Sequence, residues 1–327
     1  RCTRADREAD GWTLTLTGAE GEERVPARAL VNAAGPWAAR VLGEVVGSNE
    51  TVPLRLVKGS HIVVPRLFGH DSAYLFQNTD GRVVFAIPYE GRFTLIGTTD
   101  EDLSGDVDAP VAGADAIAYL CAAVSRFFRQ TVSPADVVWS YAGVRPLYAP
   151  GTGAASAASR DYVLDLDAPA GQAPLLNIYG GKLTTYRHLA EAALARLGQA
   201  WPVPAGGWTR MALLPGGDLP DGFDAALARF QAAYPWLDPA TAWRLVRNYG
   251  ALAWEIAGTA RSEADLGQAF GAGLTEAELA HAVAREWVQT GDDFLWRRSK
   301  LGLALSPDQA AAVDRWIRRQ AGAGPAD

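Results

Sequence analysis

The sequence is poor in cysteine and lysine, and it contains no long apolar run. The two cysteines, Cys2 and Cys121, are far apart in the chain and lack the spacing of a metal site, so we predict no bound metal. We expect both thiols to be reduced, as is usual in a cytoplasmic protein. No segment approaches the roughly 18 uncharged residues that a membrane-spanning helix requires, so the sequence predicts no transmembrane segment.

Several short motifs that bind phosphate or metal, or that present a nucleophile, are also missing. The chain contains no GxGxxG, P-loop, HExxH, CxxC or GxSxG pattern. The segment PGTGAAS (150–156) has two glycines of a dinucleotide-binding motif but lacks the third, and no clear strand precedes it. We therefore do not interpret it as a phosphate-binding turn.

The overall composition is that of a globular protein with an acidic balance. Of the 327 residues, 49% are hydrophobic and 20% are charged, and this length is sufficient for two domains. The net charge of −7 argues against nucleic acid as the main partner, but it leaves room for a local basic pocket. Only three basic residues are lysines, namely Lys58, Lys182 and Lys300. In a chain that favours arginine, a lysine either has a specific chemical role or is present by chance.

Strand and helix patterns divide the chain into regions. Residues 1–50 alternate like strands and end in a short helical pattern, while residues 51–100 are typical of an antiparallel sheet. After the linker WPVPAGGW (201–208) strand patterns disappear, and residues 220–322 are helical in pattern. We therefore place a domain boundary near residue 205. The abrupt strand-like start indicates that N-terminal material is missing.

Two four-residue patterns in the helical region predict capping boxes. Thr275 lies three residues before Glu278, and Ser306 lies three residues before Gln309. Pro307 adds the residue that is favoured in the first helical position.

The segment IYGGKLTTYRHLAEAAL (178–194) is a candidate binding turn. An apolar strand leads into Gly180 and Gly181, Lys182 follows, and a helical pattern begins at Thr185. Glycines allow a planar or phosphorylated ligand to approach the backbone, and a helix N-terminus attracts negative charge. We expect Thr184 or Thr185 to cap the helix. The alternative is a plain strand-to-helix turn with a solvated lysine.

Two further segments carry weaker signals. VNAAGPWAAR (31–40) is a second strand-to-helix turn, in which the small residues around Gly35 permit close approach. In LVKGSHIVV (56–64), Lys58 and His61 would lie on opposite faces of a regular strand unless Gly59 introduces a bend or bulge. Histidine can act as a general base near neutral pH, although a half-buried structural histidine is the more common case.

Arginines follow in the segments WSYAGVRPLY (139–148) and SRDYVLD (159–165). Arg145 precedes a proline, which favours an extended backbone and helps to fix the direction of the side chain. A guanidinium held in this way suits a carboxylate or phosphate, whereas the alternative is a surface salt bridge. Arg160 is followed by Asp161, which could neutralise it. IGTTDED (96–102) ends a strand in hydroxyls and carboxylates and is compatible with a simple turn.

Taken together, these segments resemble the FAD-dependent glycerol-3-phosphate dehydrogenase family over nearly the whole chain. KGSHIVVP and GGKLTTYR at this spacing are highly specific, and simpler amine and amino-acid oxidases of the same superfamily resemble the chain only near NAAGPW. The matching segments, in family order, are NAAGPW, KGSHIVVP, IGTTD, GVRPL, SRDY, NIYGGKLTTYR and EWVQTGDDFLWRRSKLGL.

The resemblance implies an α/β plus α fold class. Part of an FAD-binding α/β domain is interleaved with an antiparallel substrate-domain sheet and is followed by a helical C-terminal domain. The implied segments are 1–50 for the remainder of the FAD-binding domain, 51–165 for the substrate domain, 166–204 for the return to the FAD-binding domain, and 205–327 for the helical domain. The family's GxGxxG turn, a substrate-contacting arginine and further glycine-rich stretches near the flavin are expected before residue 1.

The resemblance also implies a role for each candidate residue. His61 would be the base or would polarise the 2-hydroxyl, and Arg145 would stabilise the alkoxide or bind phosphate. Substrate binding would fall to Lys182, Arg160 and Thr98. Contacts with FAD would come from Ala34, Gly35, Gly180, Gly181, Lys182, Leu183 and Thr184.

The implied reaction is hydride transfer from C2 of sn-glycerol 3-phosphate to FAD, giving dihydroxyacetone phosphate, with quinone as the electron acceptor. Two alternatives are an oxidase that uses O₂ and a non-catalytic module without flavin. The implied location is cytoplasmic, with peripheral contact at the inner face of the cytoplasmic membrane. Trp254, Trp287, Trp296 and Trp316 could contribute to that contact or pack in the core. A homo-oligomer remains open.

Overall fold

The computed structural model describes residues 1–18, 21–103, 105–149, 161–200, 202 and 207–322. The chain forms two compact units, Arg1–Arg210 and Met211–Asp327. The division into four segments that the resemblance implies stays a prediction.

The described residues of the first unit form three sheets and three α-helices. Its strands are β1 (Cys2–Arg7), β2 (Trp12–Gly18), β3 (Gly21–Ala27), β4 (Leu30–Asn32), β5 (Leu54–Pro65), β6 (Tyr74–Gln77), β7 (Val83–Tyr89), β8 (Phe93–Gly97), β9 (Glu101–Asp102), β10 (Trp139–Tyr148), β11 (Val163–Asp167) and β12 (Leu175–Tyr179). Its helices are α1 (Ala38–Arg40), α2 (Ala114–Ser125) and α3 (Tyr186–Leu197).

The largest sheet has six strands, with the long strand β5 in its interior. The strand order is β10-β5-β8-β7-β6, all antiparallel, and the short β9 also pairs with β5. Alternate residues of the strands, such as Ile62, Val64 and Ile96, are fully buried and pack against Leu120 and Val124 of α2. Each such side chain contributes about 1.5–3 kcal/mol on burial. Helix α2 therefore covers one face of the sheet and leaves the other face for His61 and its neighbours.

A small sheet of order β11-β12-β4 brings two sequence-distant turns together. Strands β4 and β12 are parallel, with Asn32 opposite Asn177. The buried Asn32 side chain donates hydrogen bonds to the Ala38 carbonyl at 2.9 Å and to Asn177 Oδ1 at 3.0 Å. Because parallel strands end at the same edge of a sheet, the turns that follow β4 and β12 lie side by side.

The second unit is mainly helical. It consists of α4 (Gly222–Ala233), α5 (Pro239–Tyr249), α6 (Ala253–Ala257), β13 (Ala269–Gly271), β14 (Leu274–Thr275), α7 (Glu276–Arg285) and α8 (Pro307–Ala321). Two apolar clusters form its core, one around Phe230 and Leu245 and the other around Phe294 and Trp316. Of the four tryptophans considered for membrane contact, Trp316 is buried and Trp287 is 90% exposed. Among the described residues, no helix is both long enough and apolar enough to span a bilayer.

The two predicted capping boxes have different outcomes. The Ser306–Gln309 box is confirmed, because the Ser306 hydroxyl accepts a hydrogen bond from the Gln309 N–H and the Gln309 side-chain oxygen accepts one from the Ser306 N–H. The Thr275–Glu278 box is wrong, because Thr275 makes no side-chain cap. Glu278 is instead only 1% exposed, where it accepts hydrogen bonds from Arg244 and from the hydroxyl of Tyr249.

This difference provides a matched pair of stability variants. We expect Ser306→Ala to lower the free energy of unfolding by about 1 kcal/mol, because the first turn of α8 loses a satisfied N–H group. Thr275 has the same sequence pattern, but its hydroxyl makes no capping hydrogen bond. Thr275→Ala should therefore lower the free energy of unfolding by less than half as much as Ser306→Ala. Chemical denaturation of the two variants measures this. Equal losses would contradict the structural difference between the two helix starts.

Candidate active site

Strand β5 and its two neighbours place His61 and Arg145 on one face of the large sheet. Arg145 of β10 lies opposite Val57, and Tyr141 of β10 lies opposite His61. On the other side of β5, His61 lies opposite Gly97. Directly opposed residues share a face, and residues two apart along a strand share it as well. His61 and Arg145 therefore lie on the face that α2 does not cover.

The His61 ring is held between an aromatic ring and a glycine. It stacks on Tyr141 with ring centroids 5.0 Å apart and an interplanar angle of 4°. On the neighbouring strand, a methyl group at Gly97 would lie only 2.6 Å from His61 Nε2. Only glycine at position 97 leaves room for this ring position.

The electrostatic surroundings keep His61 neutral. Burial lowers its pKa, and the positive charge of Arg145 lowers this pKa further. Nδ1 is buried, and neither ring nitrogen hydrogen-bonds to any residue in the described part of the chain. A neutral imidazole with unused hydrogen-bonding capacity can accept a proton from a ligand hydroxyl.

The Arg145 guanidinium is fixed by the loop that follows β8. Nη1 donates to Asp100 Oδ1 at 2.7 Å and to the Thr99 carbonyl at 3.5 Å, and Nη2 donates to Thr98 Oγ1 at 3.1 Å. A methyl group at Gly59 would lie 2.6 Å from Nη1. Arg145 thus crosses β5 over the bare backbone of Gly59.

Gly59 introduces no bulge, so the placement of Lys58 and His61 on opposite faces of a regular strand is confirmed. The pairing of β5 with β10 is regular over ten consecutive residues, with Gly59 directly opposite Gly143. Lys58 therefore lies on the face opposite to His61, where its ammonium group pairs with Glu101 at 3.3 Å. The role of Gly59 is to provide room for the guanidinium of Arg145.

The glycine pair after β12 forms the second part of the site. Gly180 has φ of 73° and Gly181 has φ of 99°, conformations that favour glycine. A methyl group at Gly180 would lie 2.8 Å from the Asp161 carbonyl and 3.7 Å from the carbonyl of Pro146, the residue after Arg145. The turn is therefore next to the end of β10 that carries Arg145.

The residues after this glycine pair present backbone and side chains to solvent. Lys182 and Thr184 are exposed, and Leu183 is 89% exposed. Within the described residues, the Lys182 ammonium group has no hydrogen-bond or ion-pair partner. The prediction of a threonine cap is wrong, because Thr185 makes no side-chain cap and its hydroxyl instead donates to the Lys182 carbonyl at 3.0 Å. The helix start is therefore left open to a ligand.

The turn after β4 completes the sheet edge. Gly35 has φ of 55°, with open space where a side chain would be. The Ala34 N–H donates to Asn32 Oδ1 at 3.4 Å, which fixes the chain as it leaves the strand. Ala34 and Gly35 lie at the same carboxyl edge as Gly180 and Gly181.

The structure thus unites most of the residues that the sequence singled out. His61, Arg145 and Thr98 share one sheet face, and the turn that carries Lys182 is adjacent to it through Gly180 and Pro146. Arg160 lies outside the described residues. The sequence did not reveal the contribution of Asp100, Tyr141 and Gly97, or the role of Gly59 beneath Arg145. The signal for the glycines was their presence inside apolar strand segments, where glycine often marks a close approach.

The sheet edge fits a flat cofactor with anionic phosphates, such as FAD. The two turns offer glycines with positive φ and a helix start without a side-chain cap. Such backbone N–H groups suit the polar edge or the phosphates of a nucleotide cofactor. In the described part of the chain, no cluster of three or more His, Cys, Asp or Glu residues could hold a metal ion.

Comparison with known families identifies the fold. The family model described as FAD dependent oxidoreductase (DAO) matches residues 1–187. The model described as C-terminal domain of alpha-glycerophosphate oxidase matches residues 208–321. Both matches agree with the sheet-rich first unit and the helical second unit.

Curated relatives resemble the chain along almost all of its length. Glycerol-3-phosphate dehydrogenase of Pseudomonas aeruginosa is 43% identical over 98% of this chain and 63% of its own length. D-erythritol 1-phosphate dehydrogenase of Brucella abortus is 42% identical over 96% of this chain and 63% of its own. Aerobic glycerol-3-phosphate dehydrogenase of Escherichia coli is 40% identical over 97% of this chain and 64% of its own length. The chain therefore spans a little under two thirds of these relatives.

A solved structure supports the same fold. The glycerol-3-phosphate dehydrogenase of Bacillus halodurans, solved in complex with FAD, superposes with a TM-score of 0.80 and 28% identity, covering 98% of this chain and 64% of that one. The resemblance and the fold class inferred from the sequence motifs are confirmed by these matches. The chain belongs to the FAD dependent oxidoreductase family.

Proposed function

We propose that the protein oxidises sn-glycerol 3-phosphate to dihydroxyacetone phosphate with FAD as its cofactor. The observation that carries this proposal is the placement of His61 and Arg145 on one sheet face, beside the turn that presents Lys182. The sheet face therefore offers a base and a donor for an oxyanion, and the neighbouring turn offers a charge for phosphate. The relatives named glycerol-3-phosphate dehydrogenase, at 40–43% identity, support this choice of substrate.

The chain's own residues would divide the work at the alcohol carbon. When bound, FAD supplies the acceptor for the hydride that leaves C2 of the substrate. His61, kept neutral by burial and by Arg145, takes the proton of the 2-hydroxyl. Arg145 stabilises the negative charge that develops on that oxygen as its proton is removed and before the hydride has left C2. Bond breaking at C2 and proton removal together leave the ketone.

The phosphate group and the cofactor would be held by the remaining candidates. Lys182 and Arg160 supply positive charge to the phosphate, and Thr98 supplies a hydroxyl. Residues proposed to contact FAD are Ala34, Gly35, Gly180, Gly181, Lys182, Leu183 and Thr184. The helix start at Leu183 has no side-chain cap, which supports this role, since its N–H groups would stabilise negative charge on the cofactor.

The electron acceptor and the location follow the family expectation. We propose quinone as the acceptor and peripheral contact with the inner face of the cytoplasmic membrane. The rival acceptor is O₂, and the rival function is a module without flavin. A second substrate candidate is D-erythritol 1-phosphate, favoured by the Brucella abortus relative that bears this name at 42% identity.

One experiment separates these possibilities. The protein is loaded with FAD and mixed anaerobically with sn-glycerol 3-phosphate or with D-erythritol 1-phosphate, and loss of flavin absorbance is followed. We expect faster bleaching with sn-glycerol 3-phosphate, followed by reoxidation with a quinone analogue and little peroxide in air. Faster bleaching with the erythritol ester would change the substrate, and abundant peroxide would indicate an oxidase. Absence of FAD uptake would favour the non-catalytic module.

Gly59, which lies beneath the Arg145 guanidinium, provides a further mutational prediction. We expect Gly59→Ala to lower kcat/KM about 10- to 100-fold, because the new methyl group displaces the Arg145 guanidinium from its contacts. Gly143→Ala is the matched control, since it lies directly opposite Gly59 and its methyl group would meet nothing within 4 Å. Steady-state kinetics on both variants measure the difference. Similar losses in both would show that Gly59 has no special role.

A further inference from the structure

Three consecutive carboxylates after β8 each pair with a cation of a neighbouring strand. Asp100 pairs with Arg145 at 2.7 Å, Glu101 with Lys58 at 3.3 Å, and Asp102 with Arg55 at 2.6 Å. The last two pairs link the edge strand β9 to β5. The first pair differs, because its arginine comes from β10 and crosses β5 over Gly59, two residues from His61.

We propose that Asp100 is a positioning residue that assigns Arg145 to the reacting oxygen and leaves the substrate phosphate to Lys182. This inference rests on the proposed function. It resolves the alternative left open by the sequence, in which Arg145 either stabilises the alkoxide or binds phosphate.

The contacts of Arg145 support an orienting role for Asp100. Its guanidinium donates hydrogen bonds from Nη1 to Asp100 and from Nη2 to Thr98, while Gly59 lies beneath it. A carboxylate–guanidinium contact is directional, so it fixes the plane of the group as well as its position. Asp100 thereby limits the directions in which the remaining N–H groups can point.

The charge balance supports the division of labour. Arg145 and Asp100 together carry no net charge, so the pair attracts a dianionic phosphate only weakly, whereas it still donates hydrogen bonds to an oxygen. Lys182 has no partner among the described residues and lies after the turn that approaches Pro146. An unpaired ammonium group is the better partner for phosphate, since no carboxylate competes for it.

The test uses Asp100→Asn in the FAD-loaded protein, with two separate readouts. We expect kcat for sn-glycerol 3-phosphate to fall about 10- to 100-fold, because an amide orients the guanidinium less firmly. We also expect inorganic phosphate, measured by titration calorimetry, to bind about two- to fivefold more tightly, because the charge of Arg145 is no longer neutralised. Lys182→Ala should instead weaken phosphate binding.

Controls separate positioning from a structural effect. Asp102→Asn removes a carboxylate of the same run that pairs with Arg55, and it should leave both readouts near wild type. Asp100→Glu retains the charge and should keep phosphate binding at the wild-type level. Thermal unfolding verifies that each variant is folded. If Asp100→Asn does not fold, both readouts are measured on Asp100→Glu instead.

The outcomes discriminate clearly. Slower turnover together with tighter phosphate binding supports the inference. Weaker phosphate binding in Asp100→Asn, or unchanged values in both readouts, overturns it. Failure of the wild-type protein to oxidise sn-glycerol 3-phosphate would overturn the proposed function instead, and the calorimetric comparison would still decide whether Asp100 neutralises Arg145.

Discussion

Replacement of Arg145 with alanine is expected to lower kcat/KM for sn-glycerol 3-phosphate by about 10²–10³-fold, the usual cost of losing one preorganised donor to a developing oxyanion. The guanidinium is held by Thr98 and Asp100 before substrate arrives, so little reorganisation is needed during the reaction. Because the contact strengthens as charge develops, most of the loss should appear in kcat.

The rate of flavin bleaching under single-turnover conditions measures this loss directly. Arg55→Ala is a suitable control, since Arg55 is a cation of the same sheet and pairs with Asp102. It should retain nearly the wild-type rate. Wild-type kinetics in Arg145→Ala would remove this residue from the reaction.

Replacement of His61 with glutamine should lower kcat by about 10²–10⁴-fold, the range for loss of a general base. Glutamine retains a polar side chain of similar length but does not accept a proton near neutral pH. KM should change much less than kcat. His70→Gln is the control, because it makes the same substitution in the first unit at a histidine whose ring hydrogen-bonds to Tyr74. A change confined to KM would show that His61 binds substrate without acting as the base.

The pH profile of the unmodified protein checks the same role. Burial and then Arg145 lower the pKa of His61 from its ordinary value of 6.5. The neutral form is the active one, so activity is present above this lowered pKa and is lost as pH falls through it. We therefore expect the acidic limb of kcat/KM to have its midpoint below 6.5. A midpoint above that value would be inconsistent with His61 as the base.

The sequence indicated the local features of the site well because they depend on short-range chemistry. The glycines before Lys182 and the proline after Arg145 each constrain the backbone in a way that is readable from neighbouring residues. Likewise, the helix start at Ser306 follows from four residues alone.

The remaining features required knowledge of strand pairing, which the sequence alone does not specify. His61 and Arg145 share a face only because β10 pairs with β5 so that Arg145 lies opposite Val57. A shift of one residue would move Arg145 to the other face. The capping prediction at Glu278 failed for a similar reason, since the half-buried Arg244 draws that carboxylate away from the helix start. In both cases, contacts between residues far apart in the sequence determined where the side chain lies.

The bare backbone at positions 59 and 97 has a consequence for inferring function in distant homologues. A protein that keeps both His61 and Arg145 in an alignment, but carries a bulkier residue at either glycine, cannot hold the two side chains as they are held here. Transfer of the proposed dehydrogenase role to such a homologue would be unsafe, however well its other motifs agree. The two glycines therefore serve as a fingerprint for the active geometry.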